Sequence, residues 1–145
     1  MGYQSEAELE KQLVQQLLGQ GYAAAHIANE EDLLENFRQQ LYLQNEKKLN
    51  DKPFTDKEFE RIIRYIEGKS VFQSAKILRD KFVLEREDGS EVYIEFFDTV
   101  HWCKNRFQVT TQTTVVGKYI NRYDVTLLIN GLPLVQIELK RRGLD

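Results

Sequence analysis

Residues 122–140 read Arg-Tyr-Asp-Val-Thr-Leu-Leu-Ile-Asn-Gly-Leu-Pro-Leu-Val-Gln-Ile-Glu-Leu-Lys, and the fold prediction starts from this stretch. Two apolar, strand-like runs flank Asn130-Gly131. Asn-Gly between such runs is a strong hairpin signal because both residues tolerate positive φ. The stretch therefore predicts a β-hairpin with a three-residue loop, Asn130-Gly131-Leu132.

Three charged residues lie within this predicted hairpin. A loop of that length places Asp124 directly opposite Glu138. Since residues two apart in a strand share a face, Glu138 and Lys140 point the same way. Two carboxylates and one ammonium are thus predicted to meet on one patch of sheet.

This charged patch has two interpretations. Glu138 and Lys140 could be the solvent-facing side of a plain edge strand, where cross-strand charge pairs are common. The carboxylates could instead hold a hard cation such as Mg²⁺, with the lysine orienting a water that attacks a phosphodiester. Asp is disfavoured in strands, and a cation would relieve the repulsion between Asp124 and Glu138. The spacing alone leaves both interpretations open.

Length and composition fit one domain, residues 1–145, with an ordinary core. No run of eighteen apolar residues or secretory signal occurs, so no membrane association is expected. The lone Cys103 excludes an internal disulfide and suits a reducing cytoplasm. Residues 101–145 carry 7 basic against 3 acidic side chains, which is compatible with a polyanionic ligand.

The remaining sequence predicts an α+β fold, an α/β sandwich with helices over about 5–80 and a mixed, mostly antiparallel sheet over about 81–140. Apolar stripes at helical spacing follow a series of capping residues: Ser5, Asn29, Thr55 and, for a shorter fourth helix, Ser70. The period then changes to two, with a hairpin at Asp88-Gly89 and a β-branched strand over 107–116.

The first helix contains two acids that could have a structural or a functional role. Glu8 completes a capping box with Ser5. Glu10, at the edge of the apolar stripe, is either a solvated helix residue or an acid that reaches into a cleft. Trp102 and Cys103 are expected in the core. The chain contains no G-x-x-x-x-G-K-[ST] phosphate loop and no G-x-S-x-G elbow.

The hairpin with its three charges resembles the nuclease motif of the R (endonuclease and motor) subunit of type I restriction–modification enzymes. The Asn-Gly-Leu-Pro-Leu turn followed by Ile-Glu-Leu-Lys is specific to that group. A generic PD-(D/E)xK nuclease would match only Asp124, Glu138 and Lys140. The resemblance covers nearly the whole chain and includes these upstream segments: 5–22, 71–72, 76–82 and 98–110.

The resemblance implies a PD-(D/E)xK core. Asp124, Glu138 and the main-chain carbonyl of Leu139 would bind Mg²⁺ or, in its place, Mn²⁺, and Lys140 would be the catalytic lysine. The family's helical acid, in a pattern Glu-x-x-Leu-Val-x-x-Leu, falls on Glu10 and favours it over Glu8 as a fourth catalytic residue. The basic pair that follows the lysine is expected to contact DNA: Arg141 and Arg142.

The resemblance also implies a function, that of a type I site-specific deoxyribonuclease cutting double-stranded DNA away from its recognition site. Implied partners are the motor domains of the same subunit, which alone need ATP, and the modification and specificity subunits. The motor and a helix carrying Q-x-x-x-Y do not follow in this sequence. The chain is therefore expected to be an N-terminal fragment, truncated at its C-terminus and inactive alone. The alternative is a non-catalytic module that grips DNA or docks the motor.

Overall fold

A computed structural model describes residues 5–67, 76, 79–116 and 120–139. These ranges contain three α-helices and six β-strands, which confirms the predicted α+β class. The helices are Glu6–Gly19 (α1), Glu30–Gln44 (α2) and Asp56–Ile66 (α3). The helix predicted from Ser70 lies largely outside the described ranges. Within them, no helix is long and apolar enough to cross a membrane.

The strands form two sheets. They are Ala23–Ala24 (β1), Lys81–Glu85 (β2), Glu91–Glu95 (β3), Phe107–Val116 (β4), Ile120–Ile129 (β5) and Leu132–Ile137 (β6). A four-stranded sheet has the order β1-β4-β5-β6, while β2 and β3 pair separately as an antiparallel hairpin. β1 runs parallel to β4 and the other pairs are antiparallel, so the predicted mixed, mostly antiparallel character is confirmed.

The prediction that strands begin only near residue 81 is wrong, because β1 lies within the region predicted to be helical. The chain leaves α1 and extends along β4, where the backbone N–H of Ala25 donates to the carbonyl of Val109 at 2.9 Å. Two alanines carry no β-branched or alternating pattern, so the strand has no sequence signal of its own. Its hydrogen bonds to β4 are what make it a strand.

The described residues divide into two compact units. The first comprises residues up to Asn36 and from Arg106 onward, and it holds α1 and the four-stranded sheet. The second, Phe37–Asn105, holds α3 and the β2–β3 hairpin. The boundary falls within α2. One domain over residues 1–145 stays a prediction.

In the first unit, α1 begins where the Ser5 hydroxyl accepts a hydrogen bond from the N–H of Glu8, as predicted. The helix contacts β4 and β5, yet most of its large apolar residues are only half-buried and Leu18 is exposed. The fully buried side chains come mainly from the sheet, among them Val109, Val125 and Leu128. The sheet therefore carries the core of this unit.

In the second unit, α3 begins with the predicted capping box. Glu58 donates its N–H to the Thr55 hydroxyl and accepts the N–H of Thr55 on its carboxylate. Glu58 is also fully buried and forms an ion pair with Arg86 at 3.0 Å. The second role has no signal in the sequence, since Arg86 lies 28 residues further on, just after β2.

The guanidinium of Arg86 also joins three parts of this unit. It bonds the Glu58 carboxylate through two nitrogens and donates to backbone carbonyls of the loop before α3: Leu49, Lys52 and Pro53. A buried pair is tolerated when further hydrogen bonds satisfy both partners. The capping box, the loop and the hairpin are thus tied to one ion pair.

Candidate functional site

The β5–β6 hairpin turns on two residues. Asn130 and Gly131 have φ of 50° and 84°, and Leu132 is already the first residue of β6. Positive φ at both positions is typical of the two-residue turn that matches strand twist. The predicted three-residue loop is therefore wrong. The Asn130 side chain explains part of the geometry, because it accepts the N–H of Arg106 while the Asn130 N–H donates to the Arg106 carbonyl.

At the open end of the hairpin, away from the turn, the strand register nevertheless matches the predicted one. Leu128 pairs with Pro133, but a bulge between Leu127 and Leu128 shifts the pairing, and Val125 pairs with Ile137. Pro133 has no N–H for the ladder, so an irregularity at this position is expected. Continued by one residue, the register places Asp124 opposite Glu138. The two-residue turn is one residue shorter than the predicted loop, and the one extra β6 residue in the bulge restores the predicted register.

The Asp124 carboxylate is held by the backbone of the neighbouring strand end. Its Oδ2 atom accepts a hydrogen bond of 2.7 Å from the N–H of Leu139. Asp124 is partly buried, whereas Glu138 is exposed and lies just past the end of β6. One carboxylate is therefore oriented by the fold, and the other lies on the adjacent strand end within reach of solvent ions.

Glu10 lies half-buried on α1, at a groove between this helix and β4. The groove is lined by Ala7, Glu10, Lys11, Val14, Gln15 and Thr111. Among the described residues, no group of three or more His, Cys, Asp and Glu side chains is arranged to hold a metal ion. The structure thus brings Asp124 beside the Glu138–Leu139 segment but does not gather Glu10 with them into a three-carboxylate cluster.

Three of the predicted site residues lie outside the described residues: Lys140, Arg141 and Arg142. Sequence reasoning anticipated the carbonyl of Leu139 as a possible ligand but missed its N–H as the donor that orients Asp124. The signal was available, because Leu139 follows the residue opposite Asp124 in the predicted register. An aspartate near the end of a hairpin can accept a hydrogen bond from a backbone N–H of the facing strand.

The oxygen donors at this strand end fit a hard divalent cation. Asp124 and Glu138 carry carboxylates, and Leu139, whose N–H donates to Asp124, also has a backbone carbonyl oxygen. Mg²⁺ prefers such oxygens, keeps several waters and needs only one or two carboxylates. The chemistry of the donor set therefore suits Mg²⁺.

The family model described as "Type I restriction enzyme R protein N terminus" matches residues 3–145. The chain belongs to this family. The type I restriction enzyme SsaAORF53P endonuclease subunit of Staphylococcus saprophyticus is 57% identical over all 145 residues of the chain. The SauMSSORF170P endonuclease subunit of Staphylococcus aureus is 56% identical over the same length.

A more distant relative is the type I restriction enzyme EcoprrI endonuclease subunit of Escherichia coli, with 40% identity over 97% of the chain. The chain spans 16% of the length of each staphylococcal relative and 45% of the E. coli one. As a member of the R protein N-terminus family, it carries Asp124, Glu138 and Lys140 inside the matched region. The resemblance to type I restriction R subunits is thereby confirmed.

Proposed function

We propose that this chain is the nuclease part of a type I restriction enzyme R subunit, with a PD-(D/E)xK core that cleaves double-stranded DNA in a Mg²⁺-dependent reaction. The observation that carries the proposal is the hydrogen bond from the Leu139 N–H to Asp124 at the strand end, where the register that pairs Val125 with Ile137, continued by one residue, would set Asp124 opposite Glu138. The relatives are named as endonuclease subunits, which supports the reaction class.

Each residue of the proposed site has a separate task. Asp124 and Glu138 would hold the ion together with the Leu139 carbonyl, and the hydrogen bond from the Leu139 N–H orients the Asp124 carboxylate. Lys140, two residues after Glu138, would orient the attacking water. Glu10 enters by resemblance as an acid supplied from α1. When bound, Mg²⁺ supplies a Lewis acid that activates water and stabilises the charge developing on the phosphate.

The proposed biological context is that of the longer relatives. The chain would work in the cytoplasm beside ATP-driven motor domains of the same subunit, in a complex with modification and specificity subunits. Arg141 and Arg142 would contact the DNA backbone, where basic side chains release counterions.

The test uses the full subunit assembled with its modification and specificity subunits on plasmid DNA that carries a recognition site. Asp124→Asn, Glu138→Gln and Lys140→Gln should each lower cleavage at least 100-fold while ATP hydrolysis continues at the wild-type rate. ATP hydrolysis reports assembly and motor function, so its retention excludes a general loss of assembly. Cleavage at the wild-type rate by any one variant would contradict that residue's assignment.

A second candidate is a non-catalytic module that grips DNA or docks the motor. It is favoured by the exposure of Leu134 and Val135 on β6, at 43% and 45%, since exposed apolar residues on an edge strand are typical of an interaction surface. In that case the three substitutions above would leave cleavage unchanged, and Arg141→Gln with Arg142→Gln would weaken association in a salt-dependent way.

A further inference from the structure

The segment Asp98–Asn105, which joins β3 to β4, is an ordered loop in the second unit. Asp98 Oδ1 accepts the N–H groups of Val100 and His101 at 3.0 and 2.7 Å. The Asn105 side chain accepts the N–H of Asp98 and donates to the carbonyls of Asp98 and Trp102. These bonds tie both ends of the loop together, so its tip is held in one conformation.

The loop presents apolar side chains to solvent. Val100 is 81% exposed and Trp102 is 52% exposed, and Cys103 is exposed as well. The expectation that Trp102 and Cys103 lie in the core is therefore wrong. The Trp102 ring stacks on the buried Phe97 ring, with centroids 6.3 Å apart and planes 20° apart. Phe97 thus fixes the orientation of a tryptophan whose surface remains half open.

The charge around this loop is one-sided. No Asp or Glu occurs between Thr99 and Asn105, whereas Lys104 is exposed. The only acid of the loop is Asp98, and its carboxylate is engaged by the loop's own N–H groups. The His101 N–H hydrogen bond is the main reason that the pKa of Asp98 lies below its ordinary value. The loop therefore combines an oriented aromatic ring with an exposed lysine.

We propose that the Asp98–Asn105 loop binds DNA at unstacked bases, with Trp102 as a stacking platform and Lys104 contacting phosphate. Every base offers a π-face to an aromatic ring, and an oriented ring loses little conformational entropy on stacking. The proposal rests on the proposed function for its choice of DNA as the ligand. It adds a contact element in the second unit, separate from the carboxylates of the first.

Trp102 is the only tryptophan of the chain, so its fluorescence reports this loop alone. The 145-residue chain is titrated with a single-stranded oligonucleotide in EDTA, which removes metal-dependent chemistry from the readout. Trp102 emission should be quenched in parallel with the rise in anisotropy of a labelled oligonucleotide. Binding without a change in emission, or no binding at all, would overturn the proposal, whereas only the cleavage assay bears on the proposed nuclease.

Variants then assign the roles. Trp102→Leu should weaken binding about 5- to 160-fold, because base stacking on an aromatic ring contributes about 1–3 kcal/mol. Trp102→Phe should restore most of the affinity. Lys104→Gln should lower the slope of log affinity against log salt by about 0.7, the loss of one phosphate contact on a single strand. Equal affinities for Trp102→Leu and wild type would contradict the stacking role.

The matched control is Tyr93→Leu. Tyr93 is an exposed aromatic residue of the same unit near Lys48 and Lys81, but both lysines lie within 4 Å of the Glu95 carboxylate. This substitution should leave DNA binding unchanged. Self-association of the chain in sedimentation velocity, abolished by Trp102→Leu and unaffected by DNA, would assign the loop to a protein contact instead and overturn the proposal.

Discussion

Asp124 Oδ2 accepts a hydrogen bond of 2.7 Å from the backbone N–H of Leu139. This contact crosses the open end of the β5–β6 hairpin, where the ladder assigned to β6 has already ended at Ile137. The side chain therefore continues the pairing that the backbone no longer makes. This hydrogen bond holds one oxygen of Asp124, whereas the proposed metal site would use the negative charge of the carboxylate, so substitutions can separate the two roles.

Asp124→Asn should abolish metal binding and leave the hairpin intact. The amide oxygen can still accept the Leu139 N–H, but the negative charge is gone. Ligand at 100 times its dissociation constant stabilises a protein by about 2.7 kcal/mol, so saturating Mn²⁺ should raise the Tm of the wild-type chain by several degrees. The Tm of Asp124→Asn should change by less than about 1 °C.

Asp88→Asn is the matched control for this measurement. Asp88 also accepts a backbone N–H, from Ser90 at 2.9 Å, in the turn of the β2–β3 hairpin. It plays no part in the proposed metal site, so the response to Mn²⁺ should equal that of the wild type. A full response in Asp124→Asn would remove Asp124 from the set of ligands.

Glu10 and Glu8 provide a second test on neighbouring residues of one helix. Glu10→Gln in the assembled enzyme should lower DNA cleavage about 10- to 100-fold, the usual loss when a group supporting a metal site is removed. Glu8→Gln should leave the cleavage rate unchanged, since the backbone N–H that Glu8 donates to the Ser5 hydroxyl is kept. Equal rates for the two variants would assign Glu10 to the helix surface.

Much of the architecture follows from local signals in the sequence. Ser5 and Thr55 cap helices as predicted, and the turn glycines Gly89 and Gly131 both adopt positive φ. These features depend on residues close together in the chain. The register that sets Asp124 opposite Glu138 was also predictable. The prediction reached it with a three-residue loop, whereas the structure reaches it with a two-residue turn and a bulge.

The unpredicted features depend on partners distant in sequence. β1 exists because Ala23 and Ala24 pair with Gln108 and Val109. Asn45, on the turn after α2, is buried and exchanges hydrogen bonds with the backbone N–H and carbonyl of Glu95. Trp102 is apolar and was assigned to the core, but the hydrogen bonds of Asp98 and Asn105 hold its loop outward. Periodicity cannot reveal contacts between such distant residues.

Asn130 should be costly to replace because it serves both the turn and β4. Asn130→Ala places an alanine at φ of 50° and removes the acceptor of the Arg106 N–H. Strain and a lost hydrogen bond to a buried position each cost about 1–3 kcal/mol, so urea denaturation should show a loss of about 2–4 kcal/mol. Asn130→Asp keeps the acceptor and should lose less than Asn130→Ala. Equal losses would exclude the side-chain bond.

The Glu58–Arg86 pair should stabilise the second unit far more than an exposed pair does. Removing one partner of a buried pair costs about 3–5 kcal/mol, because the other charge is left unpaired. Glu58→Gln and Arg86→Met should each show a loss of this size in urea denaturation. The double variant should lose less than the sum. Asp56→Asn is the control, because Asp56 is 90% exposed in its ion pair with Arg38, and the loss should be at most about 1 kcal/mol.

The same pair predicts how stability depends on pH. Burial alone raises the pKa of Glu58, but hydrogen bonds from Arg86 and from the N–H groups of Thr55 and Glu87 more than offset this, so its pKa lies below the ordinary value. A carboxyl group with a lowered folded pKa stabilises the protein fully above its unfolded pKa of about 4.3. That contribution is lost as pH falls through the folded pKa.

The difference in unfolding free energy between wild type and Glu58→Gln should therefore be constant from about pH 7 to 5.5 and shrink as pH falls below about 4.3. Urea denaturation at closely spaced pH values measures it. Glu60→Gln, a change at an exposed residue of the same helix, should follow the wild-type profile throughout. A difference that stays constant down to pH 3, or grows on acidification, would mean that the pair does not hold Glu58 in its ionised form.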